Sequence, residues 1–488
     1  MPGKLTRRMT ATDAAFLYLE RPHAPLHIGS LGVYKGDIPY ERFVNHINSR
    51  MPLIPRYRQQ ASFVPMNLAH PTWEDDPGFD IRNHIFEVTL PSPGTQQQLL
   101  EVSTELFAGM LDRNKPLWEM YVIHGLEGGN SGILSKVHHC MVDGVSGIEL
   151  LLAVVDITPE PAPPPEPTPW EPAPLPVPAR GVSDALWDNF QQQVDMAREM
   201  AQGALDPLGT VRRGQQTMNA ARTALPWLFR PAPATPFQVR LTADRHIAVS
   251  EVSFPEIREI RTSLGGTVND VVLAVLAGAL RRYMLKRGYG VDGVELRVAV
   301  PVNVRMEDEK QSLGNRISAM LPTLPLGEAD PVARLRLIRD QVTFLKTENQ
   351  ASAFEQLLRM VDYIPVPVQA LGAASNLIVN LVCTNVPGPM IPLYSVGHLL
   401  LAHYPFVPLS MNLGLGVGVT SYNQKLYFGL MADPHAVPDI DVLRQFVDES
   451  FLELRRAAGV GPSDLPVING HAPKHLGAIP AVTAETPR

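Results

Sequence analysis

The sequence predicts a mixed α/β fold divided between two domains, and three observations lead to this prediction. Segments with strand character alternate with segments of helical periodicity in both halves of the chain. At 488 residues the chain exceeds the length at which one hydrophobic core stops growing, about 250–300 residues. Residues 159–178 contain eleven prolines, which exclude helix and central strand because proline fixes φ and lacks the amide donor.

In the first half, the patterns predict two helices and three strands. We expect helices at 10–20 and 97–110, and strands at 27–34, 118–123 and 133–139. Thr10 is expected to cap the first helix, with Asp13 in its first turn. Apolar residues then recur at helical spacing over 145–155, which predicts a further helix.

In the second half, the patterns predict helices at 268–283, 331–348 and 439–457, strands at 296–302 and 318–324, and a hairpin of 413–420 with 426–430. Residues 183–229 also have helical character, and two interpretations stay open: a helix packed on the second domain, or an interfacial element among lipid headgroups. The predicted division is 1–158, a proline-rich linker and helical connector at 159–235, a second domain at 236–470, and a disordered tail at 471–488.

The bulk composition excludes several classes of protein. A net charge of −7 argues against a general nucleic-acid binder. The two cysteines, Cys140 and Cys383, make no disulfide framework and no CxxC zinc pair, which fits a cytoplasmic location. No secretory signal is expected at the start of the chain. The longest apolar run, 271–280, falls short of the roughly 20 residues of a membrane-spanning helix.

The heptapeptide HHCMVDG carries the strongest chemical signal in the chain. A predicted strand runs into His138 and His139, and Asp143 and Gly144 precede a predicted helix. Histidine is the side chain whose pKa suits proton abstraction near neutral pH. Because successive strand residues point to opposite faces, we expect one histidine to face the reaction and the other to pack.

Other interpretations of the heptapeptide are weaker. Two adjacent strand histidines point apart, which argues against a zinc site shared with Asp143. The same alternation turns Cys140 away from His139 and argues against a cysteine–histidine nucleophile pair. Ordinary core histidines do not explain the Asp-Gly that follows. A degenerate site in a protein that only binds lipid stays open.

The heptapeptide and six further segments together resemble one family. HHxxxDG by itself is shared by the CoA-dependent acyltransferase superfamily. The further segments are DAAFLYLE at 13–20, LHIG at 26–29, PLW at 116–118, TVNDVVLA at 267–274, and the C-terminal pair NVPGP at 385–389 and LSMNLG at 409–414. In this order the segments resemble the bacterial wax ester synthase/diacylglycerol acyltransferase family over about 10–457.

The resemblance implies two chloramphenicol-acetyltransferase-like domains with an active-site tunnel at their interface. It implies acyl-CoA as co-substrate without a further cofactor or metal, and diacylglycerol or a long-chain fatty alcohol as acceptor. His139 would be the general base, and His138 would support packing or local hydrogen bonding. Asp143, followed by Gly144, would form a structural salt bridge, with Arg305 as one candidate partner.

The resemblance also implies residues on the substrate side of the site. These are Trp118, Asn269, Asp270, Asn385, Ser410 and Asn412. Four of them have a purely structural alternative: Trp118 in the core, Asn269 and Asp270 at a helix start, and Asn385 in a strand-ending turn. No GxGxxG or P-loop pattern indicates where CoA phosphates bind, and Arg305, Lys310 and Arg316 are ordinary charges in the sequence.

Two other functions compete with acyl transfer to a lipid hydroxyl. One is condensation on a carrier-bound or other hydrophobic acceptor, although the chain has no carrier or adenylation module beside it. The other is a non-catalytic lipid-binding role. Insoluble substrates lead us to expect peripheral association with the inner membrane face or lipid droplets; the oligomeric state stays open.

Overall fold

The computed structural model describes residues 8–141, 155–160, 170–173, 187, 232–303, 317–347 and 378–463. The α-helices in these ranges are α1 Ala11–Leu19, α2 Tyr40–Arg50, α3 Gln96–Ala108, α4 Phe254–Leu264, α5 Val268–Lys286, α6 Pro331–Thr347 and α7 Ile440–Ala457. The strands are β1 His27–Tyr34, β2 Gln59–Ser62, β3 Thr72–Asp75, β4 Ile85–Thr89, β5 Trp118–Leu126, β6 Asn130–His138, β7 His246–Ser253, β8 Glu295–Asn303, β9 Ile317–Met320, β10 Thr323–Pro325, β11 Leu381–Val386, β12 Tyr394–Ser395, β13 His398–Phe406, β14 Leu415–Tyr422 and β15 Lys425–Ala432.

The first large sheet has six strands in the order β12-β13-β1-β6-β5-β4. β1 is antiparallel to both β6 and β13, so it lies inside the sheet. β5 is antiparallel to β6, and β4 runs parallel to β5. β6 therefore has a hydrogen-bonded neighbour on each side, which fixes the backbone that leads into the histidines.

The second large sheet has seven strands, with β10-β8-β11-β14-β15-β7 in order and β9 paired to β8. β11 runs parallel to β8 and β14, whereas β14, β15 and β7 form an antiparallel run. Helix α5 lies in the core of this half, and all ten residues of 271–280 are buried. That burial explains why the longest apolar run of the chain lies in this helix.

The two sheets meet where β13 crosses β14 and β15. Side chains alternate along β15, so that Phe428 and Leu430 face the core around α5 while Tyr427 and Met431 face the core of the first sheet. Gly429 lies between Tyr427 and Met431 on the face toward the first sheet, and a Cβ there would be 1.8 Å from the carbonyl oxygen of Pro405. The absence of a side chain at Gly429 therefore permits the two sheets to approach this closely.

The predicted elements are confirmed where the structure describes them, with small shifts of their ends. One prediction was wrong in detail: the expected strand at 318–324 is two short strands, β9 and β10, separated by residues 321–322. The predicted helix over 145–155, nearly all of the connector at 183–229 and the tail at 471–488 lie outside the described residues.

The predicted division into domains stays a prediction, but the first sheet does not follow it. β12 and β13 belong to the predicted second domain by position, yet β13 pairs with β1 from Gly29 to Tyr34. Part of the linker also contacts the first half, since the Ala173 amide donates to Asp75 at 3.0 Å.

Within the described ranges, none of the single helices is long and apolar enough to cross a membrane. Taken together, α4 and α5 meet the criterion of length and composition, but they are bent by 98° at the break between them.

Candidate active site

The backbone of the two histidines is held from both sides at the end of β6. The amide of His138 donates to the carbonyl of Leu117 at 2.9 Å, and the amide of His139 donates to the carbonyl of Leu26 at 2.9 Å. The chain then turns, with the amide of Met141 bonded to the carbonyl of His138. Two of the family-like segments, PLW and LHIG, thus supply the acceptors that position the histidine pair.

The side chains of the two histidines have opposite environments, as predicted from strand alternation. His138 is fully buried, whereas His139 is only half-buried. The ring of His139 stacks on Phe16 with centroids 4.1 Å apart and planes within 6°. His139 is therefore the histidine that a substrate can approach, and Phe16 fixes the plane of its ring.

Cys140 pairs with the buried histidine. Its Sγ lies 3.0 Å from Nδ1 of His138, and its backbone amide donates to the same nitrogen at 3.2 Å. Burial, with Asp13 and Glu20 nearby, raises the pKa of the Cys140 thiol well above its usual value. The predicted separation of Cys140 from His139 is consistent with this pairing, and a thiol with so high a pKa is a poor nucleophile.

Glu20 is the buried acid beside this pair, and the sequence analysis did not single it out. Its Oε1 lies 3.3 Å from Nε2 of His138, with both side chains 1% exposed, and accepts from the Leu26 amide at 3.0 Å. Its Oε2 pairs with Arg113 at 2.9 Å. Burial alone would raise the pKa of Glu20, but His138, the Leu26 amide and Arg113 outweigh it and lower that pKa to about 2.

A signal for Glu20 was present in the sequence, since it ends the segment DAAFLYLE. The same segment supplies Phe16, which stacks on His139. Its helix, α1, begins as predicted: the Thr10 side chain accepts from the Asp13 amide at 3.1 Å. This N-terminal segment is therefore part of the histidine site. Its contact with the histidines could not be predicted, because more than 100 residues separate the two in the sequence.

Two further residues of the segment LHIG, His27 and Gly29, pack between strands. His27 faces His138 across the β1–β6 pair, and its imidazole hydrogen-bonds to the carbonyl of Phe107. Burial and the nearby Lys136 hold the pKa of His27 well below its usual value. At Gly29, a Cβ would lie 2.3 Å from the carbonyl oxygen of Ser135, so only glycine fits between the strands.

Trp118 supports the active-site strand from the core. It is 1% exposed, its indole donates to the carbonyl of Tyr57 at 2.8 Å, and its ring stacks on His84 at 4.6 Å. Phe79 continues this aromatic series beyond His84 and meets Trp170 of the linker edge-on at 6.1 Å. The structural interpretation of Trp118 accounts for these contacts, and its predicted substrate role stays a prediction.

The segment TVND starts α5, and its two polar residues do different things. Thr267 and Asp270 form a capping box, in which the Asp270 carboxylate accepts from the Thr267 amide at 2.7 Å. Asn269 instead accepts from the Asn385 side chain at 3.4 Å. The structure thus brings together two predicted site residues that are 116 positions apart.

Ser410 and Asn412 lie in the turn before β14. Met411 and Asn412 have φ of 48° and 64°, a left-handed conformation that asparagine tolerates better than most residues. The Leu413 amide closes the turn on the carbonyl of Ser410. The substrate roles predicted for Ser410 and Asn412 stay predictions.

Several predicted residues fall on parts of the chain that the structure does not describe. These are Asp143, Gly144, Arg305, Lys310 and Arg316. The motif salt bridge and the CoA phosphate site therefore stay predictions. Among the described residues, no group of three or more histidine, cysteine or acidic side chains could hold a metal ion.

Comparison with known proteins decides the family. Residues 9–272 match the family model of the wax ester synthase/diacylglycerol acyltransferase catalytic domain, and residues 313–455 match that of the WS/DGAT C-terminal domain. The chain belongs to the wax ester synthase/diacylglycerol acyltransferase family. A Mycobacterium tuberculosis H37Rv protein named "Probable diacyglycerol O-acyltransferase tgs1" is 30% identical over 467 residues, covering 91% of this chain and 95% of that protein.

Solved structures share the fold of this family member. The wax ester synthase/diacylglycerol acyltransferase from Marinobacter aquaeolei VT8 has a TM-score of 0.66 at 24% identity, covering 93% of this chain and 100% of that chain. A mutant starter condensation domain of rhizomide synthetase, in complex with C8-CoA and Leu-SNAC, has a TM-score of 0.57 at 13% identity, covering 93% and 94%. The family resemblance and the fold class predicted from the sequence are confirmed.

Proposed function

We propose that this chain transfers a long-chain acyl group from acyl-CoA to the hydroxyl of diacylglycerol or of a long-chain fatty alcohol. The observation that carries the proposal is the environment of His139. Its backbone is fixed, its ring plane is set by Phe16, and it is half-buried beside a fully buried partner histidine. A positioned, accessible imidazole is what a general base for a hydroxyl acceptor needs.

In the proposed reaction, His139 takes the proton of the acceptor hydroxyl as its oxygen attacks the thioester carbonyl. The carbonyl becomes a tetrahedral oxyanion. This collapses with cleavage of the carbon–sulfur bond, and the imidazolium returns its proton to the CoA thiolate. The products are an ester and free CoA, and no redox partner or further cofactor is required. Such acid–base assistance is worth about 10²–10⁴ in rate.

The second sheet would supply polar groups to the same reaction. The Asn269–Asn385 contact holds two side-chain amides at the start of α5 and the end of β11. We propose that this amide pair shapes the site from the second half, with Asn269 as a candidate donor to the oxyanion. Asp143 would hold the turn after the histidines by a salt bridge, for which Arg305 is a candidate partner.

Diacylglycerol is the first acceptor to test, because the name of the relative tgs1 describes that activity. Fatty alcohol is the second, because the family includes wax ester synthases. Both acceptors are insoluble in water. We therefore propose that the protein works peripherally at the cytoplasmic membrane face or at lipid inclusions, where such substrates collect.

The test compares the wild type with His139→Ala on labelled palmitoyl-CoA and either diolein or hexadecanol. The expected result is triacylglycerol or wax ester from the wild type and a loss of at least about 100-fold in the variant. His246→Ala, at an exposed histidine at the start of β7, is the matched control and is expected to keep wild-type activity. Ester formation and CoA release are measured together.

Each other outcome has a definite meaning. Equal ester formation by wild type and His139→Ala would reject His139 as the base. No ester on either lipid, with transfer to a carrier-bound amine or alcohol, would support the condensation-type alternative. No transfer to any acceptor, with lipid binding retained, would support a non-catalytic lipid-binding protein.

A further inference from the structure

Glu20 lies beside both histidines of the motif: it contacts the side chain of His138 and the Leu26 peptide that binds His139. One of its oxygens, Oε1, lies 3.3 Å from Nε2 of His138 and also accepts from the Leu26 amide at 3.0 Å. The carbonyl of that same Leu26 accepts from the His139 amide at 2.9 Å. A single carboxylate oxygen thus touches the side chain of one histidine and the peptide that holds the other.

The hydrogen bonds around His138 determine which of its nitrogens carries the proton. A backbone amide can only donate, and the Cys140 amide points at Nδ1. Nδ1 is therefore an acceptor, so the neutral ring carries its proton on Nε2. Nε2 lies 3.3 Å from Oε1 of Glu20, an ion-pair distance without hydrogen-bond alignment, so the carboxylate attracts that proton by its charge. Turning the buried ring over would leave the Cys140 amide without its acceptor.

Arg113 stabilises the buried, ionised carboxylate of Glu20. It contacts Oε2 of Glu20 through both Nε and a terminal nitrogen, at 3.3 and 2.9 Å, and donates to the carbonyl of Leu17. A carboxylate that is paired to arginine and bonded to a backbone amide stays ionised in the interior. Glu20 is accordingly a fixed acceptor, because its partners come from the residue before β1, the end of β6 and the loop after α3.

We propose that Glu20 is a positioning residue for catalysis: it locks His138 in the Nε2–H form and holds the Leu26 peptide, and through both it fixes the place of His139. This inference rests on the proposed function, because it concerns the base of that reaction. A misplacement of about 1 Å near reacting atoms can cost about 100-fold in rate. Loss of this acceptor should therefore lower kcat more than it weakens substrate binding.

Two variants of Glu20 and one matched control test the proposal. Glu20→Gln removes the charge, and Glu20→Asp keeps the charge but withdraws the oxygen by one methylene. Glu256 offers the control, since it too is buried, pairs with an arginine (Arg455, 3.0 Å) and accepts from a backbone amide (Ser463, 2.7 Å). Glu256→Gln disturbs a similar ion pair in the second half of the molecule.

Both Glu20 variants are expected to lower kcat by about 10- to 100-fold, with KM for palmitoyl-CoA and diolein within about twofold of wild type. Glu256→Gln is expected to keep wild-type kcat, although its thermal unfolding midpoint should fall by about as much as that of Glu20→Gln. The proposal is overturned if Glu20→Asp retains wild-type kcat, or if Glu256→Gln loses as much activity as Glu20→Gln. Glu20→Asp keeps the ion pair and so tests the position even if Glu20→Gln fails to fold.

A spectroscopic measurement separates this proposal from the proposed function. In ¹⁵N-histidine-labelled wild type, the imidazole of His138 should show a protonated Nε2 and an unprotonated Nδ1. Its signals are assigned by their absence from the spectrum of a His138→Gln variant. A protonated Nδ1 on His138 would overturn the positioning role. A wild type that forms no ester would reject the proposed function, and comparison of the ¹⁵N spectra of wild type and Glu20→Gln would then alone decide whether Glu20 holds His138.

Discussion

At the scale of single residues, two adjacent histidines differ because of what surrounds each ring. His138 lies between the Cys140 amide and Glu20, and all of its polar contacts are internal. His139 has an aromatic ring on one face and is half-buried. The side chain of His138, the last residue of β6, thus has a structural role, whereas that of His139, the first residue of the following turn, is left to react.

The ion pair of Glu20 predicts a specific pH dependence of stability. The pKa of Glu20 falls from 4.5 to about 2 on folding, so the folded state binds its proton more weakly than the unfolded state does. The stabilisation is complete above pH about 5 and is lost as the pH falls from 4.5 toward 2. It amounts to about 3 kcal/mol, at about 1.4 kcal/mol per pKa unit.

The measurement compares urea unfolding of wild type and Glu20→Gln between pH 7 and pH 3. The gap in the free energy of unfolding should be widest at pH 7 and should narrow steadily below pH 4.5. A gap that stays constant over this range would show that the Glu20 carboxylate does not have a lowered pKa in the folded protein.

Residues of the site were predictable where one local rule decides their environment. The different environments of His138 and His139 were expected from alternation at the strand end, although β6 itself ends at His138, and helix-start chemistry places Asp270 in the first turn of α5. Glu20 could not be assigned in the same way, because its partner Arg113 is 93 positions away. A carboxylate in an N-terminal helix looks like an ordinary surface charge until the fold buries it.

At the scale of elements, the start of α5 couples a helix cap to a predicted site residue. Thr267 and Asp270 close the cap, and Asn269 lies between them against Asn385. The substitution Thr267→Ala should lower the free energy of unfolding by about 1 kcal/mol, because it removes the hydroxyl of the cap. Thr267→Ser, which keeps that hydroxyl, should stay within a few tenths of a kcal/mol of wild type.

The midpoint of urea unfolding measures both substitutions. Equal midpoints for Thr267→Ala and wild type would mean that the cap of α5 does not contribute to the measured free energy of unfolding. Ester formation by the alanine variant adds a second readout: a fall in kcat without a change in midpoint would indicate that the turn acts on Asn269 and not on the helix.

Several long elements were predicted closely, whereas β7, β13, two helices and the shortest strands were missed. β1 was predicted with its observed ends, and α5, α6 and α7 were found within three residues. Helix α2 was missed because it begins after Pro39 without a side-chain cap. Helix α4 was missed although Ser253 and Glu256 do mark its start. β2, β3, β10 and β12 have four residues or fewer, too few to show a period.

At the scale of the whole molecule, the crossing of the two sheets depends on glycines. Gly429→Ala would place its Cβ against the Pro405 carbonyl, which is backbone and cannot rotate away. Gly418→Ala would instead meet the side chain of Val407 at 3.0 Å, which can yield more easily. We expect Gly429→Ala to cost at least about 1–3 kcal/mol, and Gly418→Ala to cost less.

Thermal unfolding of the two alanine variants checks this order. A lower midpoint for Gly429→Ala than for Gly418→Ala is expected, and the reverse order would mean that the sheets can separate at Pro405 without loss. The crossing itself was not predictable from the sequence, because a glycine in a strand indicates a bulge as readily as the close approach of another backbone.

The return of β13 to the first sheet has a consequence for synthesis on the ribosome. β1, which begins at His27, hydrogen-bonds on one side to β6 and on the other to β13. The first partner emerges early, whereas the second emerges only after residue 406 has been translated. During that interval the nascent chain carries an open strand edge, which invites pairing with other chains. A fragment that stops in the linker would keep this open edge permanently, so the molecule is poorly suited to expression in two halves.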